Sequence, residues 1–174
     1  TLVAVGTMID LPQHIEVIGG RVFSPVPDEN GEFYDWLEIY NGTGADLDLD
    51  GVMLTNRTDR ITFHFPKFTL KADQRVIVFA SDSYQMDPSL PFHGKFKISS
   101  AGAQIYMDDP DMDLIDLITV PTMTADHSYI LKSVDEEGQR SYEITDYYSP
   151  GYDNNEAGFL AYRSANSTEP GSLV

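Results

Sequence analysis

Hydrophobic and polar residues alternate along most of this chain with a period of two, the pattern of strands that bury one face. The clearest stretch runs from Tyr34 to Asn56. Within it Leu37 and Ile39 point one way, and Trp36, Glu38 and Tyr40 point the other. Asn41-Gly42-Thr43-Gly44 follows as a tight turn tolerant of positive φ, and Leu47 and Leu49 then alternate with Asp46, Asp48 and Asp50. The pattern predicts two adjacent strands around that turn.

The rest of the chain reads in the same way. Thr1–Pro12 lacks a period and is expected to be an extension (residues 1–12) before a β-rich body over residues 13–154. His14–Phe23 is strand-like, with a bulge or bend at Gly19-Gly20, and the Pro- and Gly-containing segment 24–32 is a loop. Arg57–Arg60 is a polar turn, after which Ile61, Phe63 and Phe65 share a face opposite Thr62 and His64. Gln74–Ser81 is continuously apolar, which predicts a central strand buried on both sides. A loop follows at Asp82–Pro91, then an alternating strand at Gly94–Ser99 with Phe96 and Ile98 inward. Gln104–Met107 and Leu114–Val120 form a hairpin across an Asp-Pro-Asp connection, and Ser128–Leu131 pairs with Arg140–Ile144 across Asp135-Glu136-Glu137-Gly138. Tyr147–Asn154 is expected to close the sheet. The period then changes: Asn155 is a good N-cap and the spacing predicts a short helix over 155–164. Residues 165–174 have the composition of a linker and are expected to lead toward a further domain. About ten short strands separated by turn residues make a sandwich or a barrel.

Composition adds what the pattern leaves out. A chain of 174 residues suits one domain with short extensions, and without cysteine it has neither disulfides nor thiolate metal sites. Eleven Lys+Arg against 28 Asp+Glu give a net charge of −17. Such a surface repels phosphate backbones and anionic headgroups, so nucleic acid is not expected as a partner. Without an apolar stretch of spanning length, membrane insertion is not expected either. The acidity fits an extracytoplasmic setting.

The blocks also resemble a known family, the lamin tail domain. Asp35-Trp36-Leu37-Glu38-Ile39-Tyr40-Asn41 is similar to its opening signature, and Leu47-Asp48-Leu49-Asp50-Gly51 with Met53-Leu54-Thr55-Asn56 to the next strand. Phe65-Pro66 to Leu70, Gln74–Ser81, Phe96–Ser99 and the Asp109-Pro110-Asp111 hairpin follow in the family's order. So do Ser128-Tyr129 and Ser149-Pro150-Gly151. The departures are Met112, where the family's hairpin usually has Gly, and Val52, where an aromatic often follows the Gly. The resemblance implies an immunoglobulin-like antiparallel β-sandwich of the bacterial exported type, a module in longer secreted or cell-surface proteins.

Asp46, Asp48, Asp50 and Gly51 imitate the start of a calcium loop, but the position of its bidentate Glu falls on Arg57. Asp108, Asp109, Asp111 and Asp113 crowd an exposed hairpin tip that could take a hard cation, though an ordinary Asp-rich turn is the favoured reading. His14, His64, His93 and His127 lack metal-ligand spacing. Asp126-His127-Ser128 has triad residue types, yet consecutive strand residues face opposite ways. Glu32, Asp35 and Glu38 do not pair as glycosidase acids, because Asp35 and Glu38 face opposite sides of a strand. Trp36 fits the core or, with Tyr40, an outer binding platform. Tyr84, Tyr147, Tyr148 and Tyr152 fit a contact surface for sugar or protein. The expectation is therefore a non-catalytic interaction or spacer module with no catalytic, cofactor or metal residues and no cofactor. Its partner would be a protein or a glycan, with covalently linked neighbouring domains. The alternatives are a carbohydrate-binding module and a small hydrolase.

Overall fold

The computed structural model describes residues 26–57, 63–123 and 127–166 in full, together with the backbone of residues 16–18, 21–23 and 62. The expected extension 1–12, His14, the turn at residues 58–60, Asp126 and the linker beyond Asn166 lie outside the described residues. In chain order the strands begin with β1 (Glu16–Ile18), β2 (Arg21–Phe23), β3 (Asp35–Tyr40), β4 (Leu47–Asp48) and β5 (Met53–Thr55). They continue as β6 (Thr62–His64), β7 (Thr69–Leu70), β8 (Arg75–Ala80), β9 (Phe92–Gly94) and β10 (Ala103–Asp108). β11 (Leu114–Val120), β12 (Ser128–Val134) and β13 (Arg140–Thr145) precede the helix α1 (Glu156–Ala165).

Two sheets carry the body: β11-β10-β5-β6 and β3-β8-β9, with β4-β7, β12-β13 and β1-β2 as separate pairs. This is an immunoglobulin-like β-sandwich. Leu37 and Ile39 from β3 and Val76 and Val78 from β8 meet Leu54, Phe63, Ile105, Met107 and Ile118 from the facing sheet in one apolar core. Phe63, Phe65 and Phe92 pack edge-on or tilted, with centroids 4.9–5.6 Å apart. Burying each ring contributes roughly 2–3 kcal/mol, and each such pair adds about 0.5–1.5 kcal/mol more.

The apolar run of β8 does what its composition demands. Val76, Val78 and Ala80 face the sandwich, while Phe79 joins Val26 and Trp36 in a second cluster on the other side, with Ile77 packed against it. A sheet buried on both faces needs a cover. Here Tyr148, from the segment after β13, and Tyr162, from α1, supply it. The helix starts where the sequence predicts: Asn155 is extended (φ −155°) and its side chain accepts the Gly158 amide.

Three expectations are corrected. β3 and β4 do not form a hairpin; β3 pairs along its length with β8, and β4 pairs with β7. The reason is Asn41, whose buried amide donates to the Ala45 and Leu70 carbonyls and whose Oδ1 accepts from Thr43. The glycine turn is thereby bent away to a different strand pair. In Gly94–Ser99, Phe96 and Ile98 are buried as expected, but the ladder stops at Gly94, and β9 pairs with β8 in parallel, the remaining pairs being antiparallel. Tyr147–Asn154 adds no strand and lies as irregular chain leading into α1.

Three acidic turns share one geometry. Asp28, Asp109 and Asp135 each donate their amide to the residue four positions on and accept at Oδ1 the amides two and four positions on. In each, the residue three positions on is left-handed: Gly31 (φ 78°), Met112 (φ 70°) and Gly138 (φ 81°). This is a type I turn closed by a bulge residue that favours glycine. Met112 is the exception, and its side chain is exposed.

Met112→Gly is therefore expected to raise stability by about 0.5–1 kcal/mol, because relief of left-handed strain exceeds the added freedom of the unfolded chain; denaturant titration measures it. Gly158→Ala is expected to act against helix propensity. A Cβ there would sit 1.9 Å from the Asp153 carbonyl oxygen, so the substitution should cost about 1–3 kcal/mol, and a gain would refute this packing.

Candidate functional site

The outer face of β3 settles the place of its polar and aromatic residues. Trp36 is fully buried in the second cluster and is core, with no binding platform at that position. Tyr147, Tyr148 and Tyr152 pack against Phe159 or Tyr162 of α1, with centroids 5.0–6.5 Å apart, so they hold the helix down. Tyr84 alone of the four is exposed, in a loop that also exposes Met86 and Leu90.

Glu38 lies between Trp36 and Tyr40 and is buried. Its Oε2 accepts the Gly151 amide at 2.6 Å, so the Ser149-Pro150-Gly151 turn is clamped onto the sheet. Its Oε1 faces Arg75 Nε at 3.6 Å, beyond hydrogen-bonding distance, and neither atom has a hydrogen-bond partner. Arg75 is engaged instead by Asp153 at 3.1 Å and by the Tyr40 ring. Burial therefore dominates: it pushes the Glu38 carboxyl up to about 8, against the Gly151 amide and Arg75, which favour the ionised form.

The acidic clusters are mostly spent on structure. Asp46 and Asp48 accept backbone amides of Ala72 and Asp50. Asp108 is buried under Arg57 at 2.8 Å, and Asp109 caps its own turn. His127 pairs with Asp146 at 3.0 Å, while its neighbour Ser128 is buried. His64 is exposed, and so is Glu32, far in character from the enclosed Glu38.

One constellation was not visible in the sequence. His93, in β9, is buried with Nε2 2.9 Å from Glu29 Oε2 and 3.9 Å from Asp28 Oδ2. On its other side Nδ1 lies 2.8 Å from Ser81 Oγ, which is in turn 2.8 Å from Ser83 Oγ. The ring packs on Phe79 and against the edge of Tyr34. Burial would raise the Glu29 carboxyl, but the His93 hydrogen bond, a backbone bond and the charge of the ring hold it below its usual range. Serine, imidazole and carboxylate stand in line, as in a hydrolase relay. The two carboxylates come from one turn and the imidazole from a strand 64 residues away, so no local spacing announces them.

The lamin tail domain model matches residues 22–133 of the chain. The chain belongs to the lamin tail domain family. No curated protein matches it. The matched span of this lamin tail domain holds both sheets and the Asp28–Glu29–His93 group, and it ends before Gly151 and α1, which cover Glu38 and Trp36. The family is one of immunoglobulin-like interaction domains. No helix among the described residues is long and apolar enough to cross a membrane.

The raised Glu38 group makes stability depend on pH. Between about 4.5 and about 8 the folded chain holds a proton that the unfolded chain has released. Its contribution is therefore full below that window and declines as pH rises through it. Denaturation of the native protein and of Glu38→Gln across pH 4 to 9 should show the native protein losing ground steadily to the variant; a constant difference would contradict the burial argument.

Proposed function

We propose that this domain is a non-catalytic interaction or spacer module of a larger secreted or cell-surface protein, working outside the cytoplasm. A filled interior carries the reading. A gap of about 20 Å³ between the sheets, lined by apolar residues such as Leu37, Leu54, Met107 and Ile118 together with Glu38 and Asp116, is room for a single water. The strongly acidic surface, −17 overall, favours contacts with protein over nucleic acid or anionic lipid. Tyr84, Met86 and Leu90 are exposed on a loop tied to β9 by reciprocal Gln85–His93 backbone bonds, and this loop offers a contact surface.

Two other readings have specific observations behind them. The Ser81–His93–Glu29 line favours a small hydrolase, and exposed Tyr84 favours a carbohydrate-binding module. Chromogenic esters, phosphoesters and glycosides should turn over no faster with the protein than in buffer, whereas turnover abolished by His93→Gln would establish a hydrolase. A photo-crosslinking residue at Tyr84 in the full-length protein should capture a protein; saturable glycan-array binding lost in Tyr84→Ala would establish the carbohydrate reading instead.

A further inference from the structure

We infer that Asp28, Glu29 and His93 form a binding site for a divalent first-row metal ion of the Zn2+ type. The inference stands apart from the module reading and survives or fails without it. The three side chains offer one imidazole nitrogen and two carboxylate oxygens, all within 4.8 Å of one another. Ligand atoms on one zinc at 2.0–2.2 Å stand roughly 3.0–3.6 Å apart when tetrahedral. His93 Nε2 is 2.9 Å from Glu29 and 3.9 Å from Asp28, within a few tenths of an ångström of that range, and the two carboxylate oxygens, within 4.8 Å of each other, close onto one ion by a shift of at most about 1 Å.

The environment holds each ligand in place. Oδ1 of Asp28 is occupied by the amides of Asn30 and Glu32, which fixes the carboxylate. Among the described residues its Oδ2 has no hydrogen bond, although the side chain is only 2% exposed, and it is turned toward His93. That oxygen is held against the imidazole with no donor among those residues in reach, which leaves it available as a ligand. In one tautomer Nε2–H donates to Glu29; in the other Nδ1–H donates to Ser81 Oγ and the Nε2 lone pair faces the two carboxylates. The second is the arrangement a ligating histidine uses, and it is repulsive unless a cation lies between.

Charge separates a metal from a proton as that cation. Protonated His93 with two carboxylates leaves one negative charge in excess in a partly buried group. A divalent ion on neutral imidazole and both carboxylates brings the sum to zero. Imidazole with carboxylate suits zinc and its neighbours better than calcium or magnesium. Glu29 is exposed, so the site opens to solvent on that side and leaves coordination positions for water. A bound ion would tie the turn that follows Val26 to β9.

Isothermal titration of the chelator-treated protein with zinc chloride tests the site. Zn2+ is expected to bind with one-to-one stoichiometry and to raise the thermal midpoint. Asp28→Asn keeps the turn-capping oxygen, and Glu29→Gln alters an exposed side chain, so both should keep the native circular dichroism. Each should weaken binding at least tenfold. Absence of saturable zinc binding overturns the inference, with a proton as the occupant. Binding that both variants leave unchanged overturns it as well, since the ion would then sit on the general acidic surface.

Discussion

Burial of the β3-β8-β9 sheet on both faces is the constraint on which the rest of the fold depends. One face is supplied by the sandwich, through Leu37, Ile39, Val76 and Val78. The other presents Trp36 and Phe79, too large and apolar to leave in water. The irregular segment after β13 and the helix α1 cover them, and the Gly151 amide on Glu38 fixes the cover in register. The cost is a carboxyl group enclosed without a well-placed cation, which appears as its raised proton affinity. The site at His93 grows from the same sheet, since β9 is its third strand and Phe79 supports the imidazole.

The acidity of the chain looks different once the turns are known. Asp28, Asp109 and Asp135 spend one oxygen on the same pair of backbone amides, which is why Asp-rich hairpin tips imitate calcium loops without being built like them. Asp108 lies under Arg57, and Asp116 lies 2.6 Å from Arg140. Asp28 differs from its two counterparts in what its second oxygen meets. The others are surface turns, while Asp28 stands against a buried histidine.

How much of this was legible depended on the range over which each signal acts. Alternation gave the strands and inward faces of β3, β10 and β11, and the cap chemistry of Asn155 placed α1 within a residue or two. Alternation reports burial rather than pairing, so Phe96 and Ile98 were correctly inward although their backbone joins no ladder. The Gly-rich turn after Tyr40 is a valid hairpin signal locally, and it was overruled by Asn41 and by the stronger partner β8. His93 sits in a three-residue strand between Pro91 and Lys95, too short to show a period. Its partners are joined to it by the fold alone. For Trp36 the alternation identified the face, but whether that face was covered depended on the far C-terminal segment.

That dependence reaches beyond the family boundary. The segment shared with other lamin tail domains stops at residue 133, while the cover for the sheet's outer side comes from Tyr148, Gly151 and Tyr162. A chain severed at the family limit would lose its last strand and helix together, baring an indole, a phenyl ring and an unsolvated acid side by side. Such a patch seeks another surface, so the segment matched by the family model leaves part of its own sheet for the following residues to cover, and the helix packs as part of that cover.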